Sequence, residues 1–311
     1  MEALMDRHRN PARSLGTRLL IVAGLLVLPS CWDWEDSYTL GPFKSCPEDF
    51  QCEPEELCLR GECHRPELSE EDLEDADALL GIEWVCLPAG SFMMGCPEPS
   101  VGFFWPVGVD CHYSSAAPTQ HEVEMQAYCL MHTEVTEEQF ERVMGLNASF
   151  YPLGPDYPVE HVDWSEARLF CERIGARLPT EAEWEYAVQG AAAAGAPCED
   201  EACLDATEWI GIYSQNQKQP VGTKLPNANG LFDLQGNVSE IVEDCFHPDN
   251  KGAPSTGYPA WSTGCKTYSR SGIQRTEKGN NYADMYSHWC CRSPFLYRYS
   301  TRGFRCAADS P

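Results

Sequence analysis

Residues 157–190 read YPVEHVDWSEARLFCERIGARLPTEAEWEYAVQG, and this stretch predicts two helices joined by a tight turn. Apolar residues recur at helical spacing in the first helix, for which Ser165 is the expected N-cap and Gly175 the expected stop. Thr180 is the expected N-cap of the second helix, because Glu183 follows three residues later and completes a capping-box signature. This pattern indicates local packing through one apolar face and by itself requires no catalysis.

Three other segments carry clear local signals. The segment Trp84–Gly95 mixes apolar residues with a Pro-Ala-Gly turn and predicts a hairpin. The alternation in His121–Cys129 predicts a strand. Thr136 is an expected N-cap of a further helix, with Glu138 or Gln139 in the next turn.

The long run RLPTEAEWEYA at Arg177–Ala187, with GLFDLQGNVSEIVED at 230–244 and RGFRCAAD at 302–309, resembles the formylglycine-generating enzyme family. These proteins are also called sulfatase-modifying factors. The resemblance covers residues 82–309 and implies a large α+β domain related to C-type lectin-like folds. It implies relatively little regular secondary structure, a disulfide-rich chain and a disulfide between Cys171 and Cys306.

The N-terminal residues have the pattern of an export signal. Basic residues precede a short apolar run at Leu19–Ser30, which is shorter than the roughly 20 residues that span a bilayer. The run ends in Leu-Pro-Ser-Cys, which is similar to the bacterial lipobox and implies lipid attachment at Cys31 after removal of residues 1–30. Plain signal cleavage is the alternative that the sequence leaves open.

The cysteine content also indicates an oxidising compartment. The chain has 17 cysteines, and an even number remains if Cys31 carries a lipid. Residues 46–64 hold four cysteines and predict a small module that two disulfides stabilise, although the pairing stays open. A zinc site is the competing interpretation of this segment.

The predicted organisation is therefore a lipoprotein signal peptide at 1–30, a tether at 31–45, the cysteine module at 46–64, an acidic linker at 65–81 and the family domain at 82–309. The formal net charge is -26, which argues against nucleic acid as a partner because both molecules are negative.

The loop at 233–240 resembles a calcium-binding loop of the family. The resemblance implies Ca²⁺ ligands from the carbonyls of Asp233, Gly236 and Val238 and from the side chain of Glu240. Hard oxygen ligands suit calcium, and glycine lets the backbone curve around the ion. The alternative is a Gly-Asn turn without metal.

The catalytic cysteines of the family are missing from their usual positions. The family's enzymes oxidise a sulfatase cysteine with oxygen and Cu⁺, and two active-site thiolates five residues apart hold the copper. The matching turn here is Gly279–Tyr282, so the cysteine positions are occupied by Asp284 and Trp289. A rearranged catalytic site would have to use Cys290 and Cys291, whereas the simpler interpretation is that each of them forms a disulfide elsewhere.

The preferred hypothesis is an exported, lipid-anchored protein of the bacterial cell envelope that has lost or altered the family's catalysis. It would bind a protein or glycan through its long loops. One alternative is an active formylglycine-generating oxidoreductase that uses Cu⁺ at Cys290 and Cys291. Another is a structural surface lipoprotein.

Overall fold

The computed structural model describes residues 52–53, 55–96, 119–189, 201–267, 273–283, 292–295 and 298–311. All of them belong to one compact unit, Leu40–Pro311. The helices are α1 (Ala76–Leu80), α2 (Glu137–Met144), α3 (Trp164–Arg173), α4 (Glu181–Gln189), α5 (Glu201–Thr207) and α6 (Gly211–Ser214), with a 3₁₀ helix at Asp72–Asp75. Within this part of the chain, no helix combines the length and the apolar character that crossing a membrane requires.

The strands are short and fall into small sheets. They are β1 (Leu57–Leu59), β2 (Glu62–His64), β3 (Trp84–Leu87), β4 (Gly90–Met94), β5 (His121–Met125), β6 (Tyr128–Met131), β7 (Ser239–Cys245), β8 (Arg275–Lys278), β9 (Ser293–Phe295), β10 (Arg302–Gly303) and β11 (Ala307–Asp309). The sheet orders are β1-β2, β4-β5, β11-β6-β3 and β10-β7-β8-β9.

The predicted hairpin at Trp84–Gly95 is wrong, although both of its strands exist. β3 pairs with β6 and β4 pairs with β5, all antiparallel, so the Pro-Ala-Gly turn moves the chain from one sheet to another. Cys86 lies opposite Cys129 in the β3–β6 pair, and the two cysteines form a disulfide. This cross-strand bond connects β3 to β6 rather than to its neighbour in sequence.

Two of the predicted helix caps are confirmed. Thr136 accepts a hydrogen bond from the Gln139 N–H, and the Gln139 side chain accepts one from the Thr136 N–H, so a capping box begins α2. Thr180 and Glu183 make the same reciprocal pair of bonds, 3.0 and 2.8 Å long, at the start of α4. Each box satisfies backbone donors that the first turn of a helix otherwise leaves unpaired.

The predicted N-cap of α3 is wrong by two residues. The helix is capped by Asp163, whose carboxylate accepts from the N–H groups of Ser165 and Glu166, while Glu166 accepts from the Asp163 N–H. Asp and Ser are comparably good caps, and the position of the reciprocal glutamate selects Asp163. The helix does end where the sequence indicates, because Gly175 has a φ of +73° immediately after it.

The largest core cluster packs helices α2 and α3 against the C-terminal segment. Phe140, Phe170 and Phe304 are fully buried, and their ring centroids lie 5.4 to 6.2 Å apart. A disulfide joins Cys171 of α3 to Cys306 with an S–S distance of 1.96 Å. Helix α3 is therefore attached to the C-terminal strand both covalently and through aromatic packing.

Gly303, in the short strand β10, lies where three segments cross. A Cβ atom at this position would come within 2.5 Å of the Val159 carbonyl oxygen and 2.8 Å of the Val238 side chain. Real Cβ atoms do not approach other atoms so closely, so only glycine fits without a shift of the backbone. The pairing of β10 with β7 depends on this close approach.

The hairpin β1–β2 packs directly on the rest of the domain. Leu59 is only 1% exposed and belongs to the main core cluster. Arg60, at the tip of the hairpin, donates to Glu166 and to the carbonyl oxygens of Ala148 and His161. A disulfide joins Cys52 to Cys63, as the disulfide interpretation of this segment predicts.

We expect Leu59→Ala to lower the free energy of unfolding of the whole domain by roughly 2–5 kcal/mol, because it leaves a cavity in the main core. Urea denaturation followed by tryptophan fluorescence measures this change. Leu79→Ala, at a side chain that is 42% exposed, is the matched control and should have little effect. An unchanged main transition in Leu59→Ala would show that the hairpin is a separate module.

Candidate functional site

The turn Gly279–Tyr282, which the sequence analysis predicted to match the family's catalytic turn, follows directly after β8. Gly279 has a φ of +72°, and a Cβ there would lie 2.8 Å from the Leu234 carbonyl oxygen. The Tyr282 N–H donates to the carbonyl oxygen of Asn237, at 2.8 Å. The turn therefore rests on the loop that was predicted to bind calcium.

Two serines fix the orientation of Tyr282. The Ser214 hydroxyl donates to the Tyr282 carbonyl oxygen at 2.6 Å, and the Tyr282 hydroxyl donates to the Ser300 carbonyl oxygen at 3.2 Å. The predicted positions beyond this point, Asp284, Trp289, Cys290 and Cys291, lie outside the described residues, as does Cys31. Their roles stay predictions from sequence.

Buried charges surround the strand that leads into this turn. The Lys278 ammonium group is fully buried and lies 2.9 Å from a carboxylate oxygen of Glu185 and 3.5 Å from one of Glu181. The Arg292 Nε atom lies 2.8 Å from the same oxygen of Glu181. The buried Asp244 carboxylate accepts from the Glu181 N–H at 2.7 Å, so this cluster holds two cations and three carboxylates.

The loop at 233–240 is held by a buried ion pair. The Arg305 guanidinium group donates to both oxygens of Glu240 over 2.7 to 2.9 Å, and both side chains are fully buried. Trp184 Nε1 also donates to Glu240, at 3.0 Å. The remaining guanidinium hydrogens reach the carbonyl oxygens of Met131, His132 and Phe232.

Three other buried carboxylates lie near this loop. Burial raises the pKa of Glu208 to about 8 and that of Asp233 to about 6. Burial also raises the pKa of Glu134 well above its usual value, and the neighbouring Asp233 and Glu240 raise it further. Glu134 accepts hydrogen bonds from the Val238 N–H and the Asn237 side chain, so it helps to fix the conformation of the loop.

The Glu240 side chain does not fit the predicted role of a calcium ligand. Its carboxylate already accepts three N–H hydrogens, from Arg305 Nε and Nη2 and from Trp184 Nε1, and the Arg305 Nε–H is shared between both oxygens, so a metal would have to displace these bonds. A guanidinium group at this distance would also repel the cation. The carbonyls of Asp233, Gly236 and Val238 remain predicted ligands, but the geometry favours the turn without metal.

The described residues offer one other cluster of metal-ligand types, formed by Cys52, Glu56 and Cys63. Because Cys52 and Cys63 are joined in a disulfide, their sulfurs are not available as thiolate ligands. No pattern in the sequence pointed to Glu134, Glu208 or the partner of Glu240. Arg305 lies within a motif that carries the family resemblance, but its contact with Glu240 spans 65 residues.

A second surface feature lies beside the turn, on the loop between α2 and α3. Phe150 and Tyr151 are exposed, and their ring centroids lie 4.7 Å apart with the planes nearly perpendicular. The Tyr151 N–H donates to the buried carboxylate of Glu160 at 2.7 Å. Burial raises the pKa of Tyr282, and the neighbouring Glu160 and Tyr151 raise it further, so the three side chains lie close together.

The fold and this site define a member of one family of proteins. Residues 70–310 match the sulfatase-modifying factor enzyme 1-like domain, and the chain belongs to that family. The predicted family and the predicted α+β fold are confirmed.

The relatives show how far the similarity extends. The mouse formylglycine-generating enzyme is 30% identical over 194 residues, which cover 51% of this chain and 48% of that enzyme. A bovine relative named inactive C-alpha-formylglycine-generating enzyme 2 is 38% identical over 108 residues, covering 29% of this chain and 36% of that protein. The match thus spans about half the length of the mouse enzyme and about a third of the length of the bovine protein.

A solved structure supports the fold over a longer range. PvdO from Pseudomonas aeruginosa superposes with a TM-score of 0.58 and 26% sequence identity, covering 73% of this chain and 94% of PvdO. The similarity therefore includes nearly all of PvdO.

We expect excess calcium and excess chelator to give the same melting temperature, because the Glu240 carboxylate is already paired with Arg305 and Trp184. Thermal unfolding followed by circular dichroism measures this. A bound ion at a hundred times its Kd would add about 2.7 kcal/mol of stability, which raises the melting temperature by several degrees. Such a rise, absent in Glu240→Gln, would establish the calcium site.

We expect Arg305→Met to lower the free energy of unfolding by roughly 3–5 kcal/mol, because it leaves the Glu240 carboxylate charged and buried without its partner. Chemical denaturation measures the loss. The double variant Arg305→Met/Glu240→Gln removes the unpaired charge and should recover part of it. Additive losses in the two single variants would contradict a coupled pair.

Proposed function

We propose that this protein is a family member without the usual copper-dependent catalysis, which binds another molecule on the surface around the turn Gly279–Tyr282. One observation carries the proposal. No cysteine occurs between Cys265 and Cys290, and Cys265 is bonded to Cys245 in a disulfide. The chain therefore offers no pair of thiols with the family's spacing after the turn.

The environment of the turn supports binding rather than redox chemistry. Lys278 and Arg292 are paired with Glu181 and Glu185, so neither buried cation is left without a carboxylate partner. The name of the bovine relative describes that protein as inactive, which agrees with loss of catalysis within the family. The exposed aromatic residues beside the turn provide contact surface.

We also propose export and a lipid anchor at Cys31. The support is the basic and apolar N-terminal pattern and the cysteine that follows it. The disulfides Cys52–Cys63 and Cys171–Cys306 favour the oxidising compartment to which an exported protein is delivered. In this proposal the protein acts in the cell envelope and meets its protein or glycan partner there.

The alternative function is an oxidase with a rearranged thiol site. The adjacent cysteines Cys290 and Cys291 follow the turn closely in sequence, and thiolates are the ligands that Cu⁺ prefers. This alternative requires both side chains to be free and reduced, whereas the binding proposal does not.

Peptide mass spectrometry of the purified full chain, alkylated without reduction, separates the two functions. We expect Cys290 and Cys291 to resist alkylation, because this proposal assigns each of them to a disulfide. The intact mass of the same sample also reports whether Cys31 carries a lipid.

Alkylation of both cysteines, together with Cu⁺ binding and oxidation of a sulfatase cysteine peptide, would overturn the binding proposal. The variant Cys290→Ser/Cys291→Ser should then lose that oxidation. Cys245 and Cys265, which form a disulfide, are internal controls that must not react without reductant.

A further inference from the structure

Two of the four exposed aromatic rings among the described residues, Tyr258 and Tyr299, already have a cation of this chain above them. The Arg177 guanidinium carbon lies 4.6 Å from the ring centroid of Tyr258, and that of Arg302 lies 5.2 Å from Tyr299. Phe150 and Tyr151 are the exceptions, since no cationic group among the described residues lies over either ring. Their side chains are nevertheless the more exposed, at 59% and 57%.

The loop that carries these two rings is held in place from both ends. Arg60 donates to the carbonyl oxygens of Ala148, at 3.3 Å, and His161, at 2.9 Å. His161 has a φ of +61°, an uncommon conformation for a residue with a side chain, and its ring lies 5.3 Å from that of Phe150. The rings are therefore presented on a fixed backbone, which reduces the entropy that binding would cost.

Two buried carboxylates and a single lysine lie behind the rings. The Lys218 ammonium group lies 2.6 Å from Glu137 and 3.6 Å from Glu160, so two buried carboxylates share one cation. One oxygen of Glu160 accepts from the Tyr151 N–H, and the other is buried with no hydrogen-bond partner among the described residues. His161 adds no compensating charge at neutral pH, because burial and then Arg60 and Arg298 lower its pKa to about 4.

We propose that Phe150 and Tyr151 receive a cationic side chain, arginine by preference, from a partner protein. Aromatic faces attract cations, and guanidinium groups stack on them more often than ammonium groups do. The two carboxylates behind the loop and the net charge of -26 both favour a basic partner. This inference rests on the proposed binding function and specifies the partner's chemistry.

Two fluorescently labelled peptides test the proposal. In one, glycine alternates with arginine; in the other, glycine alternates with citrulline, which has nearly the same shape as arginine but no charge. Fluorescence anisotropy with the full chain at physiological ionic strength measures both affinities. We expect the arginine peptide to bind and the citrulline peptide to bind much more weakly. Phe150→Leu and Tyr151→Leu should each raise the Kd for the arginine peptide by about twofold to fivefold.

Tyr258→Leu is the matched control, because it removes a comparably exposed ring that Arg177 already covers, and it should leave the affinity unchanged. Circular dichroism establishes that each variant is folded. Equal binding of the two peptides, equal binding by the leucine variants, or no binding of the arginine peptide would overturn the inference. The alkylation of Cys290 and Cys291 is measured independently of peptide binding, so the proposed function and this inference can fail separately.

Discussion

The buried ion pair between Arg305 and Glu240 is the interaction on which the rest of the fold depends. Arg305 pairs with Glu240 of β7 and donates to backbone carbonyls of Met131, His132 and Phe232, which belong to two other parts of the chain. In this domain the strands are short and the sheets are small, so hydrogen bonds between strands connect only a few segments of the chain. A planar cation with five donors makes these connections from one point.

This arrangement also determines what the central loop can do. Removing two charges from water is costly, and the cost is recovered only if every donor and acceptor is satisfied. Glu240 meets that condition with Arg305 and Trp184, and Glu134 meets it with the N–H of Val238. Carboxylates that serve the fold in this way are not available for a ligand, so function is expected at the surface, where Phe150 and Tyr151 lie exposed.

Local signals in the sequence predicted the helices better than the sheets. The capping boxes at Thr136 and Thr180 could be predicted because each is completed within three residues. The N-cap at Asp163 was missed because Ser165 is chemically as good a cap, and only the reciprocal bond from Glu166 decides between them. The prediction of a hairpin at Trp84–Gly95 failed because β3 pairs with β6, to which a disulfide joins it across 43 positions, and no local turn signal indicates such a distant partner. The same limit applied to the site, where the loop could be located from sequence but the distant partner of its carboxylate could not.

The close crossing at Gly303 has a consequence for how such proteins are classified. This glycine belongs to the Gly-Phe-Arg run by which the chain is matched to its family, yet what it contributes is space for the Val159 carbonyl and the Val238 side chain. Arg305, two residues later, is fully buried. The diagnostic run thus records how the scaffold is assembled, and it would persist in a member that had exchanged one biochemical task for another. A match to this run is therefore evidence for the fold and is not evidence for a particular activity.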